Sequence, residues 1–345
     1  MRATDAGAYV IPVPPLRIGV LGAARITPAA LIAPARRTDG VVVAAVAARD
    51  PARAKAFAAK HGIERVLASY DALVRDEGID AIYNPLPNGL HTHWTEQALA
   101  AGKHVLCEKP FAANAAQARR VQQAQREADA ANGRSLVVLE AFHYRYHPLM
   151  GRVLALAAEL GPIRYVQASM CFPLPRFGDI RYQYDLAGGA LMDTGCYAMH
   201  FSRQFGLGEP VVTAASAKTL RRDPRVDRAM TVDLRYPDGA TGRVTASMWS
   251  RALLNVSARV VGQRGEVRVL NFVAPQFPHL LTSTVDGRRQ RERVAGEASY
   301  THQLRSFLAA VRGEPSNLTP VEDSIATMQL IDAAYTAAGL PLRGA

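Results

Sequence analysis

Two places in the chain carry residue types that could move a proton and steady a negative charge: Lys109, and the pair Asp193 and Tyr197. Lys109 closes Gly102-Lys-His-Val-Leu-Cys-Glu-Lys-Pro110, a short apolar strand followed at once by proline. Proline disfavours the α region for the residue before it, so Lys109 is extended or turning. A lysine at the carboxyl end of a parallel strand points into the crevice where such sheets bind ligands. The chain holds five lysines (Lys55, Lys60, Lys103, Lys109, Lys218) among 41 basic residues, which makes one kept here a candidate for chemistry. A surface lysine in a turn is the plain alternative. The second place is Gly188-Gly-Ala-Leu-Met-Asp193-Thr-Gly-Cys-Tyr197, read as a helix start with Asp193 and Tyr197 at i and i+4 on one face. A free phenol ionises near pH 10 or so, and a neighbouring ammonium such as Lys109 is expected to lower that value. Asp193 is expected to pair with Lys109 or to hydrogen-bond a substrate hydroxyl.

Such groups need a frame to bring them together. Apolar runs at 16–22, 41–48, 80–83, 105–107 and 136–139 alternate with helical stretches. Thr27-Pro28 and Asp50-Pro51 open two of these as cap and first-turn proline; 91–101 and 114–132, capped by Asn114, are two more. This alternation predicts a parallel sheet with helices on both faces. After about residue 140 the pattern changes to helices at 147–160 and 190–206. Strand-like runs follow at 162–172, 210–219, 229–236, 240–250, 254–261, 265–271 and 280–285, with turn signals at Asp238-Gly239 and Asp286-Gly287. Helices at 300–312 and 321–338, the last opened by Thr319-Pro320, complete the chain. The predicted fold is α/β: a Rossmann dinucleotide-binding domain over 16–140, then an α+β domain over 141–345 with a large, mostly antiparallel open sheet. Residues 1–15, with Pro12, Pro14 and Pro15 and no continuous apolar stretch, read as a flexible leader or an extended arm, not a secretory signal.

The first strand runs into Gly22-Ala-Ala-Arg-Ile-Thr27, which matches the fingerprint G-x-G-x-x-G as G-x-A-x-x-T. The first glycine is kept for the tight turn, and Ala24 still lets backbone N–H groups approach a pyrophosphate. The second strand ends at Ala48-Arg49, where NAD-binding chains usually place an acid for the ribose 2′-OH. A guanidinium there favours a 2′-phosphate, so NADP is the first choice and NAD the second, with Arg53 or Lys55 as a further cation. Asn84-Pro-Leu-Pro-Asn88 is an extended loop on the same crevice. Asn88 and His91 are placed to bond the nicotinamide ribose or substrate, Asn88 alternatively to cap a helix.

Composition narrows the rest. The net charge is +11 and the isoelectric point about 9.9, but the arginines are scattered and lack a recognition helix or aromatic platform, so no nucleic-acid partner is expected. No apolar run is long enough to span a bilayer. Cys107, Cys171 and Cys196 lie far apart with no metal-ligand spacing, which reads as a reduced, cytoplasmic protein without a structural or catalytic metal.

At the level of assembled motifs the chain resembles the Gfo/Idh/MocA oxidoreductases. Within them it resembles the branch of dimeric dihydrodiol dehydrogenases, NADP-dependent aldose dehydrogenases, glucose–fructose oxidoreductase and sugar 3-ketoreductases. The likeness covers about 16–340 and rests on Gly22-Ala-Ala-Arg-Ile, Pro87-Asn88 with His91, and Gly102 to Pro110. It continues through Glu140-Ala-Phe-His-Tyr-Arg-Tyr-His-Pro148, Gly178-Asp-Ile-Arg181, Gly188 to Tyr197 and Tyr300-x-x-Gln-Leu. It implies hydride exchange between NADP(H) and a hydroxyl or ketone of a sugar, polyol or cyclic diol. In that reading Lys109 lies against the reacting hydroxyl, Tyr197 exchanges its proton and Asp193 is its partner. Cofactor contacts are expected from Gly22, Ala23, Ala24, Arg25, Ile26, Arg49, Pro87, Asn88, His91, Glu108, Lys109 and Pro110, the last with a cis bond. Arg145, His147, Arg181, Tyr182 and Tyr300 are expected around the substrate. His143 stands where this branch often has methionine, and the sequence assigns it no role. The resemblance also suggests a homodimer or higher homo-oligomer. A nicotinamide-dependent glycoside hydrolase and a non-catalytic dinucleotide sensor are the rival readings.

Overall fold

Six strands form a parallel sheet whose order alone locates its crevice. In the computed structural model, which describes residues 14–344, they are β1 (Leu16–Leu21), β2 (Val41–Ala47), β3 (Arg65–Val66), β4 (Ala81–Asn84), β5 (His104–Cys107) and β6 (Val138–Glu140). Apart from Pro14 and Pro15, the leader lies outside the described residues. The order β3-β2-β1-β4-β5-β6 reverses direction between β1 and β4, and ligands of such sheets bind outside the carboxyl ends at that switch. All five pairings are parallel. The strands are short and apolar because both faces are covered: Ile18, Val20, Leu21, Ile82, Val105 and Leu106 are fully buried.

Eight strands make the second sheet: β7 (Ile163–Cys171), β8 (Val211–Thr219), β9 (Asp227–Arg235), β10 (Thr241–Ser247), β11 (Asn255–Gly262), β12 (Gly265–Leu270), β13 (Leu280–Val285) and β14 (Arg288–Glu292). Their order is β14-β13-β12-β11-β7-β10-β9-β8. Pairing is antiparallel except between β7 and β10, where a parallel pair marks the long crossover through the 190–202 helical segment. β14 is missing from the strands read from sequence; its basic run pairs with β13 through the Asp286-Gly287 turn. One face of this sheet is packed and the other open. Val267 and Val269 are buried while Arg268 and Leu270 alternate outward, and exposed Leu270 stands opposite exposed Leu280.

Three local departures bear on the site. Thr27 does not cap its helix: its backbone is already helical, its hydroxyl makes no cap bond, and Pro28–Ile32 winds as a π-helical turn. The helix expected over 190–206 is a π-turn, Leu191–Gly195, continued by an α-helix over Cys196–Ser202. The helix Ser299–Val311 follows the second sheet in the chain yet packs on the first. Its Leu304, Phe307 and Leu308 share one core cluster with Ile18, Val20, Leu106 and Leu139.

Candidate active site

Lys109 emerges two residues beyond β5, and its bond to Pro110 is cis, as the resemblance implies. Its Nζ donates to the Asp193 carbonyl at 2.9 Å, lies 3.7 Å from Asp193 Oδ1, and sits 4.9 Å from the centre of the Tyr197 ring. The three residues read as chemical from sequence therefore converge, one from the first domain and two from the second. The Lys109 side chain is 15% exposed. Burial pulls its pKa down, but Asp193, Cys196 and Glu108 outweigh this and hold it above the usual lysine value.

The turn that carries Asp193 is held from below. Buried Asp227 accepts from the Leu191 N–H at 2.7 Å, the Arg343 guanidinium at 2.8 Å and the Tyr335 hydroxyl at 3.0 Å. Gly189 has φ +144°, and a Cβ there would lie 2.2 Å from Asp227 Oδ1, so only glycine lets the turn approach its support this closely. Arg343, fully buried, also donates to the Gly188 carbonyl at 2.7 Å. From above, Arg181 Nε donates to Asp193 Oδ1 at 3.0 Å and its Nη1 to Asp179 Oδ1 at 3.1 Å. Asp193 foremost, then Asp179, raises the Arg181 pKa. Arg25, on the turn after β1, reaches Asp179 Oδ2 at 3.5 Å. A line of alternating charge thus runs from the β1 turn across the cleft to Lys109.

Tyr197 departs from expectation in its electrostatics. Burial pushes its phenol well above the ordinary value, and Tyr300, Glu108, Cys196 and Asp193 push the same way. The Lys109 ammonium lies 4.9 Å from the ring centre and is bonded to Asp193, and burial outweighs it. Tyr197 Oη instead lies 3.1 Å from His143 Nε2. Sequence reasoning left His143 without a role; its only signal was a polar residue where related chains often carry methionine.

The remaining predicted residues divide. Glu108 is buried and accepts from the Tyr83 hydroxyl at 2.8 Å; burial raises its carboxyl against the pull of Lys109 and Tyr83. His91 is buried with Nδ1 2.8 Å from the Pro110 carbonyl and Nε2 2.7 Å from the Leu86 carbonyl, so it sits between the two loops at the cleft and bonds one of them. Burial lowers His91 to about 4. Asn88 neither caps a helix nor stays within its domain: it donates to the Ala187 carbonyl of the second domain at 3.1 Å, and half-buried Pro87 precedes it. Tyr182 is buried, donates to the Leu174 carbonyl and packs against Phe177. Tyr300 packs on the His143 ring with centroids 4.0 Å apart. Arg145 and His147 do not join this group. Arg145 donates to Gln204, seven residues and about 10 Å along the helical segment from Tyr197. His147 caps the helix Pro148–Ala158 through Nδ1, beside His279 and His302.

The cofactor side fits a dinucleotide. Gly22 has φ +81°, and a Cβ there would meet Leu86 Cδ2 at 3.1 Å. Among the described residues, the N–H groups of Ala23, Ala24, Arg25 and Ile26 have no acceptor in the chain, a row of donors suited to a pyrophosphate. Arg53 donates to the Ala23 carbonyl at 3.0 Å and so borders this turn. Arg49 is exposed at the end of β2 with no ionic partner among the described residues, open to a 2′-phosphate. No group of three or more His, Cys, Asp or Glu among the described residues is placed to hold a metal, and no described helix is long and apolar enough to cross a membrane.

Known proteins match along nearly the whole chain. The model of the Gfo/Idh/MocA oxidoreductase family, NAD-binding Rossmann fold, matches residues 16–132, and that of the Gfo/Idh/MocA C-terminal domain matches 152–268. A D-xylose 1-dehydrogenase (NADP(+)) of Haloferax volcanii is 38% identical over 325 residues, 94% of this chain and 97% of that protein. A trans-1,2-dihydrobenzene-1,2-diol dehydrogenase of Sus scrofa is 35% identical over 66% of each chain. Among solved structures, a 3-ketoreductase from Actinomadura kijaniata in complex with NADP and TDP-benzene superimposes with TM-score 0.85 and 28% identity, over 94% of this chain and 98% of that one.

Proposed function

The chain belongs to the Gfo/Idh/MocA family of oxidoreductases and is an NAD(P)-dependent enzyme acting on CH–OH groups or their ketones; from this premise we propose that it exchanges hydride between NADP(H) and a secondary or anomeric carbon of a sugar, polyol or cyclic diol. The observation that carries the reading is the convergence of Lys109 on Asp193 beneath Tyr197, at the carboxyl ends of β4 and β5. The nicotinamide supplies or accepts the hydride when the cofactor is bound. The N–H groups of Ala23 to Ile26 receive the pyrophosphate, and Arg49 receives the 2′-phosphate. Lys109 orients the reacting oxygen and stabilises its developing negative charge as a fixed cation. Tyr197, kept protonated by burial, gives a proton in reduction and takes one in oxidation. Asp193, held by Arg181, fixes the lysine in place.

The test is a panel of aldoses, inositols, keto-sugars and trans-dihydrodiols assayed with NADP(H) and NAD(H). Turnover of at least one class with net change in NADPH, and preference for NADP, is expected. Cofactor binding without turnover of any class, or glycoside cleavage without net NADPH change, overturns the reading. We also propose a homodimer through the open face of the second sheet, where Leu270 and Leu280 are exposed side by side. Light scattering that gives a monomer at micromolar concentration refutes it.

A further inference from the structure

Away from the cleft, the Tyr197 hydroxyl faces a buried polar line. His143 Nε2 is 3.1 Å from Tyr197 Oη, His143 Nδ1 is 2.7 Å from Ser299 Oγ, and Ser299 donates to Gln276 Oε1 at 3.0 Å. His143 is 2% exposed and Ser299 is fully buried, whereas Gln276 lies at the surface. The three come from distant parts of the chain: the segment joining the domains, the first residue of the Ser299–Val311 helix, and the loop between β12 and β13. Tyr300 packs on one face of the imidazole and fixes its plane.

Donor counting sets the direction of the line. Serine has a single O–H, and with the Gln276 amide oxygen turned to Ser299 that proton goes there, so Ser299 Oγ accepts from Nδ1–H of His143. A neutral imidazole carries one N–H, which leaves Nε2 bare to accept the Tyr197 O–H. Burial favours that neutral form and lowers His143 to about 3; Lys109 and His147 act in the same direction. The titratable groups near the ring are Tyr197, Tyr300, Lys109 and His147. The phenolic proton therefore points into the protein, and the lone pairs of Oη are left for the cleft.

We propose that His143 is a positioning residue for Tyr197 and the inner member of a proton path from the active site to solvent at Gln276. The inference rests on the reading of Tyr197 as the group that exchanges the substrate proton. In oxidation the carbinol O–H proton passes to Tyr197 Oη while the phenolic proton passes to His143 Nε2. The Nδ1 proton passes to Ser299 Oγ, whose own proton leaves to water at Gln276. The carbinol C–H bond breaks with its electron pair going to NADP+, and the C=O bond forms. Tyrosine and serine end with the proton count they began with, histidine has exchanged one tautomer for the other, and one proton has left. A half-turn of the exposed Gln276 amide presents its N–H groups to Ser299 and reverses the line for reduction.

The experiment uses the full chain, His143→Gln, His143→Met and Ser299→Ala, and the best substrate of the panel. A relay predicts that all three lower kcat by about 10–100-fold, leave NADPH affinity within about twofold and change the solvent deuterium isotope effect on kcat. Wild-type kcat in the glutamine variant, with loss only in the methionine variant, shows that a hydrogen-bond acceptor suffices and overturns the path. Unchanged kcat and isotope effect in Ser299→Ala overturn it as well, and this variant decides if the histidine variants fail to fold. A readout independent of turnover is the nitrogen-15 NMR signal of His143, identified by its loss in His143→Met. A neutral ring across about pH 6–9 is expected, and a charged ring refutes the inference even if no substrate of the panel reacts.

Discussion

The turn after β1 and the turn that carries Asp193 both bring a glycine and a helix start to the cleft, yet they prepare it in opposite ways. At the first, the N–H groups of Ala23 to Ile26 are left without acceptors, and Arg49 stands exposed. At the second, the polar groups are already committed: Asp227 to three donors, and Asp193 to Arg181 and Lys109. A surface that receives a large anion keeps its donors free until the anion arrives. A group that must transfer one proton in one direction is useful only when its neighbours are already fixed. The cofactor side is thus built from open backbone, and the substrate side from closed side-chain networks.

If the contrast is sound, damage to the closed side costs turnover and damage to the open side costs binding. The largest effect is expected for Lys109→Ala, with kcat reduced by about a thousandfold or more and the NADPH dissociation constant, read by fluorescence titration, nearly unchanged. Loss of cofactor binding in step with kcat would erase the contrast. Tyr197→Phe removes the proposed proton carrier but leaves the ring over Lys109, so a loss of about 10²–10³-fold in kcat is expected, with KM little altered in steady-state assays. On the open side, Arg49→Gln is expected to weaken NADPH by about tenfold and to leave NADH untouched in the same titration. Equal affinities in wild type and variant would show that solvent, not the 2′-phosphate, occupies this guanidinium.

The smallest effect concerns stability beneath the closed side. Glu140, opposite Cys107 on β6, accepts from the Phe111 N–H just past the cis bond, and its carboxyl is buried, with Ser324 beside it. Burial raises its pKa to about 8. In the unfolded chain the same carboxyl releases its proton near 4.3 or so. Its contribution to stability is therefore fully present below that value and is lost as pH rises through about 8. Glu140→Gln keeps the acceptor and removes the ionisation. Its melting temperature is expected to lie close to that of wild type at pH 5 and to exceed it by several degrees at pH 9, where a shift from about 4.3 to about 8 corresponds to at most about 5 kcal/mol. Parallel melting curves across that range would contradict the assignment.

The open side was largely legible in the sequence because its signals are local. Gly22 before a capped segment, Ala48-Arg49 at a strand end and the alternation of apolar runs with helices are all read within a dozen residues. The six strands fall where those runs place them. Even there Thr27 misled: it has the residue type of a cap, but the segment is already helical at that position, so its hydroxyl has no N–H to accept from. On the closed side, the types of Lys109, Asp193 and Tyr197 were legible and their partners were not. Arg343 reaches Asp227 from 116 residues away, and Ser299 reaches His143 from 156 residues away; no periodicity carries such a signal. The lowering of Tyr197 by Lys109 failed for a related reason. It weighed the neighbouring ammonium but not the burial of the phenol, which dominates. Arg145 and His147 share a motif with His143, but only His143 turns toward Tyr197.

The helix Ser299–Val311 has a consequence for the order in which the protein is made. The strands of the first sheet are all synthesised once residue 140 is added, but the face bearing Ile18, Val20, Leu106 and Leu139 is closed by Leu304, Phe307 and Leu308. At about 5–20 residues per second, the chain needs on the order of 10–30 s to supply that cover. Until then a fully apolar patch of the nascent domain stands open to chaperones and to other chains. Residues as far on as Leu308 must be made before the parallel-sheet domain can finish folding.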